Sequence, residues 1–334
     1  MISRLLLIAA LLAIVIPQHT RAADSDIVVY SARKEHLIKP LFDTYTKKTG
    51  VRIKYITGNE GALLERLKAE GKNTPADMLI TVDAGNLWQA AREGVLQPVK
   101  SAALEAAIPE KLRDPSGHWF GLSVRARTLV YNTERIRPAE LSSYEDLADG
   151  KWHKKLVLRT SKKVYNQSLV ASLIAEHGAD QAGIIVQGWV DNLAAQPFSN
   201  DTKALEAVAL GLGQVTIVNT YYFGRLMKKK PGLRLAIFWP NQKTGGVHMN
   251  ISGAGITKYA DNRDGALQLL EWLAGKEAQS QFAALNMEYP ANPAIAPDSF
   301  VAAWGTFQGS PINVATYGAL QADAIKLMDK AGYK

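Results

Sequence analysis

Apolar and polar positions follow one another in a way that predicts alternating strands and helices. Residues 27–30 (Ile-Val-Val-Tyr) form a short apolar run, as a buried strand would. Leu37, Leu41, Phe42 and Tyr45 then recur at helical spacing, and Gly50 stands where a left-handed residue would end that helix. Residues 51–57 alternate and are rich in β-formers. Leu63, Leu64 and Leu67 mark a second helix, stopped at Gly71. Residues 78–82 read as a third strand and 84–93 as a third helix, stopped at Gly94. This βαβαβα run predicts a parallel sheet covered by helices.

The pattern then changes. Residues 119–132 are long, extended and alternating, enough to bridge two sheets. Ser142 and Glu145 have capping-box spacing and predict a helix start. Strands are expected at 156–158, 215–218, 233–238 and 254–256. Helices are expected at 168–177, 181–193, 263–275 and 278–285, with more helix after about residue 299. The chain shows no internal repeat and no long Gly/Ser/Pro linker. Two α/β lobes joined through strands are therefore expected, with crossovers near 123–127 and 247–251. The expected division is 24–124 with 248–297 for the first lobe, and 125–247 with 298–334 for the second. A cleft between such lobes is a natural ligand site.

The N-terminus bears on the compartment. Arg4 precedes a twelve-residue apolar run, 5–16, followed by Pro17 and Thr20-Arg21-Ala22-Ala23. That order is a secretory signal peptide, residues 1–22 with cleavage after Ala22. The run is short of the roughly 20 residues that span a bilayer. A periplasmic protein without a membrane anchor is expected. The absence of cysteine removes disulfides, thiolate metal sites, thiol nucleophiles and a lipidated N-terminal cysteine. Lys and Arg number 39 against 31 Asp and Glu, a scattered excess that a solvated surface explains better than a nucleic-acid groove.

The sequence has no GxGxxG after its first strand, no GxxxxGK[ST], no HExxH and no GxSxG. Its six histidines, at 19, 36, 118, 153, 177 and 248, are scattered. Three tyrosines are more informative. Tyr221 and Tyr222 lie in Val-Asn-Thr-Tyr-Tyr-Phe-Gly-Arg-Leu, between a strand and a helix, and Tyr165 lies at an equivalent switch in Ser-Lys-Lys-Val-Tyr-Asn-Gln-Ser. On a strand Tyr221 and Tyr222 would face opposite ways, one to the core and one to the surface. At a helix start both can lean into one cleft, where the helix N-terminus favours negative charge.

These segments resemble the ferric-iron-binding proteins of bacterial ABC importers, often called bacterial transferrins. The matching stretches are VYSARKEHLIKPLFDTYTKKTG, ERLKAEGKNTPADMLITVDAG, WFGLSVRARTLVYN, LADGKW, YNQSL, VNTYYFGRL, HMNISGAGI and EYPANP, spread over almost the whole chain. VNTYYFGRL and YNQSL are the specific ones. The resemblance implies a two-lobed type II periplasmic binding protein fold with a hinged cleft. It also implies that Tyr165, Tyr221 and Tyr222 ligate Fe3+, and that a monomer hands the ion to the membrane subunits of an importer. Relatives commonly place a histidine in the loop after the first strand, where this chain has Lys34-Glu35. Glu35 is the first-lobe ligand expected here, with His36 and Asp83 as alternatives. Where tyrosines are the protein's only ligands, carbonate or another anion completes the shell, and Arg33, Arg125, Arg127 and Ser161 are placed to hold one. Arg125 and Arg127 could also be surface charges on the bridging strand.

The chemistry is consistent with that implication. Ferric iron is a small, hard trication that favours hard oxygen donors. Deprotonating a free tyrosine at pH 7 costs ~4 kcal/mol and three cost ~12 kcal/mol, which a divalent hard cation would rarely offset. Three phenolates neutralise Fe3+, and no catalytic step is expected. Two other readings stay open: a binding protein for an oxyanion such as phosphonate or sulfate, in which the arginines lead, and an exported enzyme using tyrosinate-bound iron.

Overall fold

The computed structural model describes residues 26–334; the expected signal peptide, 1–22, lies outside the described residues. In chain order the elements are β1 (Ile27–Ser31), α1 (Glu35–Thr49), β2 (Ile53–Thr57), α2 (Glu60–Glu70), β3 (Met78–Val82), α3 (Ala84–Arg92), α4 (Ala102–Ala107), β4 (Phe120–Asn132), β5 (Leu156–Val157), α5 (Val164–Asp191) and α6 (Asp201–Ala209). There follow β6 (Val215–Asn219), α7 (Thr220–Lys229), β7 (Leu235–Phe238), β8 (Met249–Ile256), α8 (Arg263–Ala274), α9 (Lys276–Asn286), β9 (Tyr289–Pro290), α10 (Ser299–Ala302), α11 (Ala315–Ala319) and α12 (Gln321–Lys330). Among the described residues no helix is long and apolar enough to cross a membrane.

The strands run in the order β2-β1-β3-β8-β4-β6-β5, with β7 and β9 also pairing to β4. β1 is parallel to β2 and β3, as the alternating βα run requires, and β8 returns antiparallel to β3. β4 is the element that makes two lobes from one chain. Phe120 to Ala126 pair with β8, whereas Arg127 to Tyr131 pair with β6. Every residue of β4 is buried. The change of partner falls between Ala126 and Arg127, at the first expected crossover.

Each lobe has the apolar face its sequence pattern calls for. Leu37, Ile38, Leu41, Phe42 and Tyr45 of α1 are buried, and Gly50 ends the helix at φ 81° with its N–H on the Thr46 carbonyl. In the second lobe α12 packs on α5, and α11 reaches both α3 and α5. Two local expectations differ from the fold. α5 begins at Val164, earlier than the spacing suggested, and runs on through a break at Gly178 (φ 79°, ψ 164°). That early start puts Tyr165 in its first turn. The expected helix at Ser142 is only a 3-10 turn, Glu145–Ala148. The Glu145 carboxylate does not cap it: Asn241 Nδ2 donates to that group at 2.9 Å and His177 Nε2 lies 2.8 Å away.

Candidate functional site

Between the lobes lies a cavity of about 300 Å3. Its second-lobe wall is made by the starts of α5 and α7. Lys163 and Asn219 are extended residues that turn the chain from loop or strand into these helices. Tyr165 is therefore the second helical residue of α5, and Tyr221 and Tyr222 are the second and third of α7. All three face the cavity. The rings of Tyr221 and Tyr222 stack with centroids 4.4 Å apart at 33°. Asn219 Nδ2 donates to the Tyr221 oxygen at 3.4 Å. The chain thus brings together three phenols that are up to 57 residues apart in sequence numbering.

Cations surround these rings. Arg125, Lys163 and Arg159 lie 5.1, 5.3 and 5.4 Å from the Tyr165 centroid, and Arg225 lies 5.0 Å from that of Tyr221. Burial nevertheless raises the pKa of Tyr165, with Tyr222 adding to the rise and Arg125 and Lys163 opposing it. Burial drives Tyr221 well above 10, helped by its two tyrosine neighbours and resisted by Arg125. These two phenols are neutral at pH 7 until a strong cation approaches. The positive ends of α5 and α7 then favour the phenolate form.

The first-lobe wall differs from expectation. Lys34 lines the cavity, whereas Glu35 and His36 are exposed beside it. Glu35 opens α1 and accepts a hydrogen bond from Tyr55 on β2 at 3.0 Å. Asp83 is fully buried below the wall. It accepts from Gly85 N–H, Ser168 Oγ and Asn250 Nδ2 at 2.8–2.9 Å, and so ties α3 to β8 and to α5. Two first-lobe carboxylates do line the cavity: Glu288, after α9, and Glu60, at the start of α2, which is ion-paired across the cleft to Lys163 at 2.8 Å.

Of the basic groups expected at an anion, two are in place. Arg33 and Arg125 line the cavity, and both place Nη1 on Ser252 Oγ, at 2.7 and 3.0 Å. Arg33 also pairs with Glu288 at 3.1 Å. Burial opposes ionisation of Glu288, but Arg33 and Arg125 hold its carboxyl below the usual range. Nε and Nη2 of both arginines are buried without a protein partner, and such donors cost about 1–3 kcal/mol each if nothing satisfies them. The two guanidinium groups make this wall of the cavity positive, which favours an anion there. Arg127 and Ser161 do not line it. Arg127 points away from the cleft into an ion pair with buried Asp201 at 3.3 Å. Ser161 lies in the loop before α5, its N–H on the Lys334 carbonyl.

The sequence reading missed Glu60, Lys163 and Glu288. Glu60 follows Gly58-Asn59 just after β2, a strand-to-helix switch like those that drew attention to the tyrosines, so the same argument applied to the first lobe would have found it.

Comparison with known proteins follows the same direction. A family model for bacterial extracellular solute-binding proteins matches residues 73–303. Iron uptake protein A2 of Synechocystis is 42% identical over 98% of this chain and 95% of its own length. A solved Trichodesmium protein (IdiA, FutA), in complex with iron and citrate ligands, is similar at 45% identity and a TM-score of 0.90, over 93% of this chain and all of that one. Apo FutA2 of Synechocystis is similar at 42% identity and a TM-score of 0.88, over 92% of this chain and 99% of that one.

Proposed function

Given that the chain belongs to the family of bacterial extracellular solute-binding proteins, we propose that it captures ferric iron through Tyr165, Tyr221 and Tyr222 and delivers it to the membrane subunits of an ABC importer. The observation that carries this reading is the convergence of three phenols from two helix starts in one cation-lined cavity. Phenolates are hard, charged oxygen donors, and three of them cancel the charge of Fe3+. The names of the relatives, iron uptake protein and an iron–citrate complex, point the same way.

Arg33 and Arg125, which line the cavity, supply the positive charge that holds the co-bound anion, carbonate or a carboxylate. No first-lobe side chain is assigned as a ligand. The first lobe, 24–124 with 248–297, closes on the second, 125–247 with 298–334, by rotation about the strands that cross between them. Export by the residue 1–22 signal places the protein in the periplasm, where it acts as a monomer. The role is capture and release, with no catalytic step.

The test is a ferric titration of metal-stripped protein, read by the visible phenolate-to-iron absorption, repeated with Tyr222→Phe. Colour in the parent and its loss or marked shift in the variant supports the reading. A second reading, an oxyanion-binding protein, is favoured by the Arg33, Arg125, Lys163 and Arg225 side chains that line the same cavity. Anion binding by a parent that stays colourless with iron would select it.

A further inference from the structure

Behind the tyrosines, away from the cavity, lies a buried ionic cluster whose bonds end on the segments that carry them. Arg127 is 1% exposed and stands where β4 passes from one lobe to the other. Its Nη2 donates to Asn166 Oδ1 at 2.6 Å and to the Ile217 carbonyl at 2.9 Å. Its Nη1 donates to Asn219 Oδ1 and to Asp201 Oδ2, both at 3.3 Å. Asn166 adjoins Tyr165. Asn219 precedes α7, and its Nδ2 donates to the Tyr221 oxygen. Asp201 also accepts from the backbone N–H of Asn219 at 3.1 Å and from Arg159 at 3.3 Å. One planar group therefore grips both tyrosine-bearing turns, from a strand that belongs to the crossing between lobes. A guanidinium does this with donors in a fixed fork, which a flexible ammonium cannot reproduce.

We propose that Arg127, oriented by Asp201, is a positioning residue that fixes the Tyr165 turn against the Tyr221–Tyr222 turn, so that the three phenol oxygens are aimed at one point before the cargo arrives. The inference rests on the reading of those tyrosines as iron ligands. Arg127 touches neither the cavity nor the cargo; it acts through Asn166 and Asn219. Partners that orient metal ligands from behind typically contribute about 10–100-fold to metal affinity.

The charge arithmetic makes the test practicable. Asp201 faces two guanidinium groups, so Arg127→Met leaves a matched Arg159–Asp201 pair and not a stranded carboxylate. The variant loses the fork, and with it the link between the two asparagines. Ferric iron, supplied as a weak chelate, is loaded onto the metal-stripped parent, Arg127→Met, Arg127→Lys and Asn219→Ala. The readouts are the absorption maximum, its intensity per iron, and the rate of iron transfer to a strong chelator. Thermal midpoints of the iron-free proteins are measured alongside.

Arg127→Met should bind iron with a displaced and weaker band and release it about 10–100-fold faster. Arg127→Lys keeps the charge without the fork and should resemble Arg127→Met. Asn219→Ala leaves Arg127 its bonds to Asp201, Asn166 and Ile217, and should change in the same direction by less. A purely structural role would lower the thermal midpoint and leave the band where it is. A coloured parent whose Arg127→Met variant has the same band and release rate overturns the proposal. So does a lysine variant indistinguishable from the parent. If Arg127→Met does not fold, an Asn219→Ala protein identical to the parent in band and release rate overturns it. A colourless parent overturns instead the tyrosine reading beneath it.

Discussion

The ion pair between Glu60 and Lys163 joins α2 of the first lobe to the start of α5 in the second, so Glu60→Gln should ease the opening of the cleft. The pair is 2.8 Å long, with side chains 19% and 32% exposed. Two unit charges at about 4 Å attract by roughly 4 kcal/mol at an effective dielectric constant near 20. Partial exposure, salt and the ordering of two long side chains reduce the net value to about 1 kcal/mol, the upper end for surface pairs. That is roughly a fivefold change in an equilibrium constant. Iron release to a chelator should therefore be about fivefold faster in Glu60→Gln, and small-angle scattering should report a larger open fraction. Added salt should speed release from the parent more than from the variant. Acid should act in the same direction as the mutation. Burial opposes ionisation of Glu60, but Lys163 outweighs it and holds the carboxyl below its usual value. The pair's contribution is thus present above the unfolded carboxylate pKa and is lost as pH falls through the depressed folded one. Equal release rates and equal salt dependence in parent and variant would refute the latch.

Three other outcomes follow from the site and its supports. Arg125→Met removes a cation that counters the burial of Tyr165 and Tyr221; the pH at which half the iron is released should move upward, and an unmoved midpoint in a spectroscopic pH titration would contradict this. In the metal-free protein Tyr165 and Tyr221 hold their protons more tightly when folded, so their contribution is full below about pH 10 and lost as pH rises through their raised values; thermal melts should show the midpoint falling as the pH is raised above about 10. Gly224→Ala in α7 would bring a Cβ within 2.8 Å of Trp304 and 2.9 Å of Met287 Sδ, which should cost about 1–3 kcal/mol in thermal or denaturant unfolding.

Periodicity made the first lobe's βα order legible, because β1 and β3 are short apolar runs and α1 carries its buried residues at helical spacing. It also made β4 legible as one long strand, since a sequence that stays buried from Phe120 to Asn132 needs partners throughout. The two strand-to-helix switches exposed the tyrosines for a local reason: a helix start turns consecutive side chains toward one side. The resemblance to iron-binding proteins supplied the expected ion and the expected anion-holding residues. What stayed hidden is non-local. Nothing near Arg127 in sequence says that its partners are Asn166, Asp201 and Asn219, and Ser-Val-Arg-Ala-Arg gives no sign that Arg125 and Arg127 belong to different environments. Both side chains leave the same face of β4 by alternation, but the change of partner strand between them sends one to the cleft and the other to the core of the second lobe. A loop position likewise does not reveal that Tyr55 on the neighbouring strand donates to the Glu35 carboxylate.

The central claim is that three tyrosines hold one ferric ion between the lobes. Crystals of the iron-loaded protein, measured on both sides of the iron absorption edge, test it most directly. The account predicts a single anomalous peak in the inter-lobe cavity within bonding distance of the phenolic oxygens of Tyr165, Tyr221 and Tyr222. A peak ligated elsewhere, or one bonded to fewer than two of these oxygens, would contradict it.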